Sequence, residues 1–442
     1  MSGSRVPDTA ARVPHPNAAQ ARAAARPDIG RILVTNSVAL NGGDAAILLG
    51  LLRGLREAFG EAVPVEVADE AWAAAARAYP GIAFVPPLHG SAVRPDGAFR
   101  AAARSLRRRR VTAGRALLPF VPSVGRALLP PQGREHLDRL AAARAAISTG
   151  GTYLVEHYPL RRRLESIDVP ARLGVPTYLY TQSLGPFRDP GNARRVSDTL
   201  GRVRRIFLRD ERSRRHLVDI GVDPGGLSVH PDAAFALAGS VAPAPERPVR
   251  VAVSVRHWAH HRTRSPEAGQ RAYRSAVAAT VRRLVRGGAS VTFLSTCQGQ
   301  PDYRTDDARY AQRIVEEELS GVSGVRVDGT FRTPEALVAE LRGYHAAVAT
   351  RMHFAILALC AGVPVAPIAY EFKTAELFEG LGWGDRVVDL ESITDERLWA
   401  SVEETLASAS ADRERLAGAL PRLREGALEP ARIIRGDLGT AR

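Results

Sequence analysis

Residues 349–370, A-T-R-M-H-F-A-I-L-A-L-C-A-G-V-P-V-A-P-I-A-Y, decide the predicted fold of this chain. An apolar run ends at Thr350, Arg351 and His353 open an apolar helix, and Gly362-Val363-Pro364 leads into a second apolar run. This pattern predicts a strand, a helix and another strand. At such a corner the first helical N–H groups have no partner and the helix dipole is positive. Two basic residues there therefore indicate an anion-binding site.

A single lysine follows this stretch. Lys373 is the only lysine in the chain, so 60 of the 61 basic residues are arginine. An ammonium is a compact point charge and a guanidinium is a planar fork, so the two are not interchangeable. We interpret Lys373 as a second anion contact, and chance retention is the alternative.

Length, charge and hydropathy limit the class of protein. A chain of 442 residues predicts two domains. The formal charge is +14, but no zinc-finger spacing, aromatic RNA motif or recognition helix accompanies it, so we do not expect nucleic-acid binding. No apolar run reaches ~18 residues, which argues against a transmembrane helix. Residues 1–28 are rich in Ala, Arg and Pro and predict a disordered tail, not a secretory signal.

The sequence predicts neither a metal site nor a cofactor. Cys297 and Cys360 are far apart and lack metal-type spacing, which fits a reducing, cytoplasmic location. His257, His260 and His261 lie close together, but no carboxylate follows at ligand spacing, so an ordinary loop is the favoured interpretation.

One segment leaves the location open. Residues 104–129 are basic and then apolar, as in a segment that lies on an anionic membrane surface. A solvated insertion packed on the first domain is the favoured alternative. We therefore expect a cytoplasmic protein, with peripheral contact at the inner face of the membrane as the open alternative. The sequence does not indicate an oligomeric state.

Apolar runs alternate with amphipathic segments along most of the chain. Predicted strands or helices cover 31–35, 45–58, 63–67, 145–147, 175–181, 205–208, 249–255, 275–285, 290–295, 308–319, 325–327 and a helix opened by Thr333-Pro334. This alternation predicts an α/β fold with parallel sheets. A Pro- and Ala-rich break at 238–248 separates two such patterns. We predict two Rossmann-like domains (29–238 and 249–394) facing across a GT-B-like cleft, followed by a helical segment at 395–442.

Several corners after predicted strands carry candidate binding residues. Asn41, Gly43 and Asp44 follow the first strand, where two glycines allow an anion to approach the backbone, although Asp44 is equally explained as a helix cap. Arg209 and Arg256 follow two later strands. Together with Arg351, His353 and Lys373, these cations suit a small donor that carries both a phosphate and a carboxylate.

The order of the motifs resembles the polysaccharide pyruvyl transferase family over residues 31–384. The matching motifs are N-x-G-D-x-A at 41–46, G-G at 150–151, Q-x-x-G-P at 182–186, R-D-x-x-S at 209–213, P-D-x-A-F at 231–235, S-V-R at 254–256 and R-x-H at 351–353, with G-V-P, Tyr370 and Lys373 downstream. No single motif is specific, but their order and spacing are. This chain has Gly42 and Gly43 where members more often have one glycine, and fewer glycines at 148–151 than is typical.

The resemblance implies a GT-B-like fold, phosphoenolpyruvate as donor substrate with no cofactor, and a pyruvate ketal on a glycan or lipid-linked glycan. It implies catalytic roles for His353, Arg351 and Arg209. The expected donor contacts are Arg209, Arg256, Arg351, Met352, His353, Lys373, Asn41, Gly43 and Asp44. The expected acceptor contacts are Tyr153, Glu156, His157 and Gln182.

Two other functions stay open at this point. A nucleotide-sugar glycosyltransferase has the same fold, and Glu371 and Glu379 have the E-x7-E spacing found in many such enzymes. The second alternative is a non-catalytic envelope protein that binds polyanions or the membrane. It predicts that Arg351→Ala and His353→Ala leave function intact.

Overall fold

The computed structural model describes residues 30–87, 109–110, 113–114, 117, 122–300 and 305–439. The strands are β1 (Ile32–Ser37), β2 (Val65–Asp69), β3 (Ala83–Val85), β4 (Ala145–Ser148), β5 (Gly151–Leu154), β6 (Thr177–Leu184), β7 (Arg205–Leu208), β8 (Leu227–Val229), β9 (Arg250–Ser254), β10 (Ser290–Phe293), β11 (Val325–Val327), β12 (Ala346–Ala349), β13 (Val365–Ala369) and β14 (Val388–Asp389).

The helices connect these strands in chain order. They are α1 (Gly42–Phe59), α2 (Trp72–Ala78), α3 (Pro122–Leu128), α4 (Pro131–Ala141), α5 (Leu160–Arg172), α6 (Pro190–Leu200), α7 (Glu211–Asp219), α8 (Pro266–Arg286), α9 (Asp307–Glu318), α10 (Pro334–Leu341), α11 (Met352–Cys360), α12 (Phe372–Gly380), α13 (Asp395–Ala407) and α14 (Ala409–Gly439).

Two parallel sheets confirm the predicted α/β fold. The first has the order β3-β2-β1-β4-β6-β7-β8, with β5 paired to β6. All eight residues of β6 are buried, as expected where helices cover both faces of a parallel sheet. The second has the order β11-β10-β9-β12-β13-β14.

Each sheet reverses its strand order once near its middle. The reversal lies between β1 and β4 in the first sheet and between β9 and β12 in the second. In open parallel sheets, ligands bind outside the carboxyl ends of the strands at such reversals. The predicted corners at Asn41, Gly150, Arg256 and Arg351 follow these four strands, so the topology places them at the two reversal points.

Three helices begin with the same local signal, a capping side chain followed by proline. Asp189, Ser265 and Thr333 precede Pro190, Pro266 and Pro334, and each capping oxygen accepts a bond from an N–H in the first turn. The cap satisfies an otherwise unpaired donor, and proline fits the first turn because it needs no N–H there. The helix predicted at 275–285 therefore starts earlier, at Pro266.

The two halves touch closely at the start of α1. The Gly42 N–H donates to the Thr296 carbonyl of the other half at 3.1 Å. A Cβ atom on Gly42 would lie 2.0 Å from that oxygen, so only glycine fits. Behind this contact, one core contains Ala46, Phe235, Phe354 and Leu428, which come from both halves and from the last helix.

The last helix returns to the first half of the molecule. The Tyr180 hydroxyl donates to the Ala427 carbonyl at 3.0 Å, and Arg205 forms a two-point ion pair with Asp437 at 2.7 and 2.9 Å. Residues 395–407 and 409–439 form α13 and α14, of which α13 packs on α8 while α14 crosses to the first sheet. Both halves are thus tied together a second time.

Some expectations lie outside the described residues. These are the tail 1–28 and most of the segment 104–129. None of the helices that the structure describes is both long and apolar enough to cross a membrane. Four short strands of the described residues were not predicted: β3, β5, β8 and β14. Of these, β5 lies where the sequence suggested only a glycine corner.

Candidate active site

Arg209 lies at the centre of the seam between the two halves. It follows β7, and its side chain is 5% exposed. Its Nε donates to the Ser183 hydroxyl at 2.6 Å, Nη1 to the Asp232 carboxylate at 2.5 Å and Nη2 to the Thr152 hydroxyl at 2.6 Å. The guanidinium thus connects three chain segments, namely β5, β6 and the segment at Asp232.

His353 reaches the same place from the second half. It lies in the first turn of α11, and its side chain is 16% exposed. Its Nε2 is 3.5 Å from Arg209 Nη1 and 3.6 Å from the Asp232 carboxylate. The predicted pair of Arg209 and His353, 144 residues apart, is therefore brought together.

Lys373 completes the group of cations. Its Nζ donates to the Thr152 hydroxyl at 3.2 Å and pairs with Glu371 at 2.6 Å. Burial opposes ionisation of Glu371, but Lys373 lowers the pKa of that carboxyl below its usual value. Arg209 and Lys373 thus donate to one neutral hydroxyl, although charged donors bond more strongly to anionic oxygens.

Two carboxylates in this seam have opposite pKa shifts. Burial opposes ionisation of Asp232, but the neighbouring Arg209 and His353 lower its pKa below the usual range. Burial raises the pKa of Asp44, although His353, Arg163 and Lys373 favour its ionised form. Asp232 therefore stays charged, whereas the ionised form of Asp44 is disfavoured.

The start of α1 forms the floor of the group. The Asn41 side chain caps the helix by accepting the Gly43 N–H at 2.9 Å. A Cβ atom on Gly43 would lie 2.7 Å from His353 Nδ1, so the imidazole rests directly on the glycine backbone. The predicted residues Asn41, Gly43 and Asp44 thus lie beside His353. Asp44 is in the first turn of α1, and the cap is Asn41.

A family model for polysaccharide pyruvyl transferase matches residues 41–371. The chain belongs to the polysaccharide pyruvyl transferase family. The matched region contains Arg209, Asp232 and His353 and ends just before Lys373.

Comparison with individual proteins agrees with this assignment. The amylovoran biosynthesis protein AmsJ of Erwinia amylovora is 25% identical over 290 residues, which are 63% of this chain and 69% of that protein. Anabaena Alr3699/HepE in complex with UDP-glucose has a TM-score of 0.54 at 11% identity, covering 93% of this chain and 100% of that chain. A putative UDP-N-acetylglucosamine 2-epimerase from Listeria monocytogenes has a TM-score of 0.55 at 13% identity, covering 90% and 94%. These two structures support the GT-B-like fold alone.

In this pyruvyl transferase family member, Arg351 is engaged differently from Arg209. Its Nε and Nη2 both donate to the Asp307 carboxylate, at 2.7 and 2.9 Å. Its side chain is 14% exposed and that of Asp307 is 4% exposed. This two-point pair already uses one edge of the Arg351 guanidinium. Met352, the next residue, is buried.

Arg256 stacks on two aromatic rings of the second half. Its guanidinium is 4.4 Å from the Tyr370 ring centroid and 5.1 Å from that of Trp258. Such stacking stabilises the charge without a carboxylate. Burial raises the pKa of Glu371, whereas Lys373 and, to a smaller extent, Arg256 lower it. Arg256 therefore lies near the Lys373 end of the group.

The four expected acceptor residues differ in exposure and in their contacts. The Tyr153 hydroxyl bonds Ser148 and the Thr149 carbonyl, and Gln182 is fully buried. The Glu156 carboxylate accepts the Asp189 N–H at 2.8 Å and so braces the start of α6. His157 is exposed and lines an opening of the seam with a volume of about 880 Å³. Their acceptor roles stay predictions.

The neighbouring histidines and glutamates have separate contacts. His257 packs on Tyr310, His260 on Trp258, and His261 is 3.8 Å from Glu391. Among the described residues, no group of three or more His, Cys, Asp or Glu side chains could hold a metal ion. Glu371 and Glu379 lie at opposite ends of α12.

Sequence analysis missed several partners of the cations. Thr152 and Ser183 each follow a quoted motif residue, but nothing in the sequence indicates that their hydroxyls meet on Arg209. Asp307 follows Asp306, and only the structure shows that Asp306 caps α9 while Asp307 is buried against Arg351. Asp232 belongs to the P-D-x-A-F motif at 231–235, but the sequence does not predict its two cationic neighbours.

Proposed function

We propose that this protein transfers a pyruvyl group from phosphoenolpyruvate to two hydroxyls of a polysaccharide sugar, or of its lipid-linked precursor, to form a ketal. The observation that carries the proposal is the convergence of Arg209 and Lys373 on the Thr152 hydroxyl, with His353 beside them. Family membership supports the reaction class.

When the donor binds, its anionic oxygens would replace the neutral Thr152 hydroxyl as acceptors for Arg209 and Lys373. Phosphoenolpyruvate carries a phosphate and a carboxylate, and charge-assisted bonds to them are about twice as strong as neutral ones. Arg209 and Lys373 would hold these groups across the seam. The Asp232 carboxylate keeps Arg209 oriented and lies 3.6 Å from Nε2 of His353.

The chemistry requires one proton donor and stabilisation of the leaving phosphate. His353 would protonate the methylene carbon, leaving an oxocarbenium-like centre at the neighbouring carbon. One sugar hydroxyl adds there, the C–O bond to phosphate breaks, and the second hydroxyl closes the ring. Of the two hydroxyl protons, one ends on the new methyl group and the other on phosphate. Arg209 and Lys373 would stabilise the charge that develops on the leaving phosphate.

We also propose that the reaction takes place in the cytoplasm. Both cysteines, Cys297 and Cys360, are buried and free, which suits a reducing compartment. Fractionation of cells that express the full chain would test this, since a stable membrane fraction would point to surface contact instead.

The direct test is donor binding followed by product analysis. Phosphoenolpyruvate should raise the unfolding temperature, because a ligand specific for the folded state stabilises it. With a glycan acceptor, phosphate release should accompany a new ketal methyl signal in NMR. His353→Ala should abolish release, while the control Arg194→Gln, an 87% exposed side chain, should not.

Two outcomes would reject the proposal. Stabilisation by UDP- or GDP-sugars and none by phosphoenolpyruvate would favour a glycosyltransferase. Full biological function in Arg351→Ala and His353→Ala variants would favour a non-catalytic protein.

A further inference from the structure

A cavity of about 880 Å³ opens beside the cation group. The first half contributes Arg188, Arg212 and His157, and the second contributes Trp258, Arg262 and Tyr370. Its volume lies within the ~300–1,000 Å³ of small-molecule sites. Arg209, His353 and Lys373 are not among the residues that line it, so the cavity offers room for a ligand other than the donor.

One wall of the cavity is aromatic. The Trp258 and Tyr370 rings are 4.6 Å apart between centroids, with 43° between their planes, and Phe372 lines the wall further along. Arg256 behind them fixes both rings by stacking. Rigid aromatic faces offer an apolar surface with few competing donors, which suits the C–H face of a sugar ring.

The remaining lining carries three arginines, two of which have no described carboxylate within ion-pair distance of the side chain. Among the described residues, Arg188 and Arg262 form no ion pair, and the nearest carboxylate to Arg212 is Glu376 at 3.9 Å. Arg188 and Arg262 come from opposite halves, so an anion between them would be held from both sides. Guanidinium groups bind phosphate and carboxylate through two parallel N–H bonds.

The acidic residues of the cavity are already engaged. Glu371 pairs with Lys373 at 2.6 Å, and Asp389 accepts the Glu391 N–H at 3.0 Å. The arginines therefore set the charge of the open space.

A short chain of contacts links the cavity to the reacting centre. Glu371 lines the cavity, Lys373 pairs with it, and Thr152 accepts from both Lys373 and Arg209. A sugar on the aromatic wall would thus lie next to the donor. His157, an expected acceptor contact, lines this space, whereas Gln182 is fully buried.

We propose that this cavity is the acceptor subsite and that it selects a sugar bearing an adjacent anionic group, either a phosphate ester or a carboxylate. The sugar stacks on Trp258 and Tyr370, and Arg188, Arg212 and Arg262 bind the anion. This inference rests on the proposed function and adds the acceptor class to it.

The test is direct binding by calorimetry, which does not require turnover. The probes are one hexose as its methyl glycoside, its 1-phosphate and its uronic acid. Both anionic forms, or one of them, should bind the wild-type protein at least 10-fold more tightly than the glycoside. The 1-phosphate arm represents a carrier-linked sugar, and the uronic acid arm a charged residue within the glycan.

The variant Arg188→Gln/Arg262→Gln removes two exposed cations. Because neither forms an ion pair with a described residue, no such carboxylate loses its partner. It should weaken anionic sugars at least 10-fold, leave the methyl glycoside unchanged and leave phosphoenolpyruvate binding within twofold. Trp258→Leu should weaken all three sugars. The control Arg194→Gln should change none of them.

Several outcomes overturn the inference. These are equal binding of neutral and anionic sugars, unchanged binding in the double variant, or tighter binding of a nucleotide sugar than of the sugar 1-phosphate. If the wild-type protein does not bind phosphoenolpyruvate at all, the proposed function itself is rejected. The two failures are therefore distinguishable.

Discussion

Arg209 and Arg351 each lie just after a parallel strand, one in each half, yet their guanidinium groups are bonded differently. Arg209 donates to two neutral hydroxyls and one carboxylate from three segments. Arg351 directs two nitrogens at the single buried carboxylate of Asp307. Hydroxyl partners can be exchanged for a ligand anion at a gain, whereas a closed two-point ion pair cannot be opened cheaply. From this difference we propose that Arg209 serves mainly in ligand binding and that Arg351 mainly supports α11.

The largest effect should come from breaking the Arg351 pair. Asp307→Asn leaves a buried guanidinium without its counter-charge, which should lower the free energy of unfolding by about 3–5 kcal/mol. The double variant Arg351→Met/Asp307→Leu removes both charges and should lose less than about 2 kcal/mol. Chemical denaturation measures both, with the exposed Asp219→Asn as control. Equal costs in the single and double variants would contradict a closed structural pair.

The second effect separates the two arginines by turnover. Arg209→Lys keeps the charge but cannot reach Ser183, Asp232 and Thr152 together, so the rate of phosphate release should fall ~100- to 1,000-fold, about 3 kcal/mol. Arg351→Lys is the matched variant, and its loss at the same folded fraction should stay below ~10-fold. A larger loss for Arg351→Lys would reverse the comparison and restore Arg351 as the main donor clamp.

A third effect tests the position of His353 against α1. In Gly43→Ala the new methyl group would lie 2.7 Å from Nδ1, so the imidazole must leave its present position beside Arg209. We expect turnover to fall ~10-fold, about 1.4 kcal/mol of barrier, in steady-state kinetics. Gly81→Ala is the control, because no atom lies within 4 Å of its Cβ position. Unchanged turnover in Gly43→Ala would mean that the imidazole does not act from this place.

The smallest effect concerns the pH dependence of stability. Burial raises the pKa of Asp44, so the folded state binds that proton more tightly than the unfolded chain, whose pKa is near 3.8. The contribution of Asp44 to stability is therefore lost as the pH rises above 3.8. Asp44→Asn should be more stable than wild type at neutral pH, and this gain should vanish below pH 3.8. Unfolding curves across this range check it, with Asp219→Asn as control. A gain that is independent of pH would exclude titration of Asp44 as its cause.

Local signals made much of the fold predictable. Apolar runs at 205–208 and 325–327 match β7 and β11, and Thr333-Pro334 opens α10 as expected. These features depend on a few neighbouring residues, because strand burial and helix capping act over one or two turns. The ordered motifs likewise pointed to the family that the comparison shows.

Partner choice across the seam was not predictable in the same way. Arg209 and Arg351 have the same local setting, an arginine after an apolar strand, and the sequence assigned both to the donor. Which carboxylate or hydroxyl each meets depends on contacts 23 to 57 residues away, such as Asp232, Asp307 and Thr152. Glu156 shows the same limit, since its carboxylate braces α6.

The sequence by itself determined two α/β units with parallel sheets, the helix starts and the family. Periodicity, capping and motif order can be read from the chain without its tertiary contacts. Only the tertiary structure decided that Arg209, His353 and Lys373 meet while Arg351 is held by Asp307. That division depends on how Gly42 and α14 fix the two halves against each other, which sets distances between residues far apart in the chain.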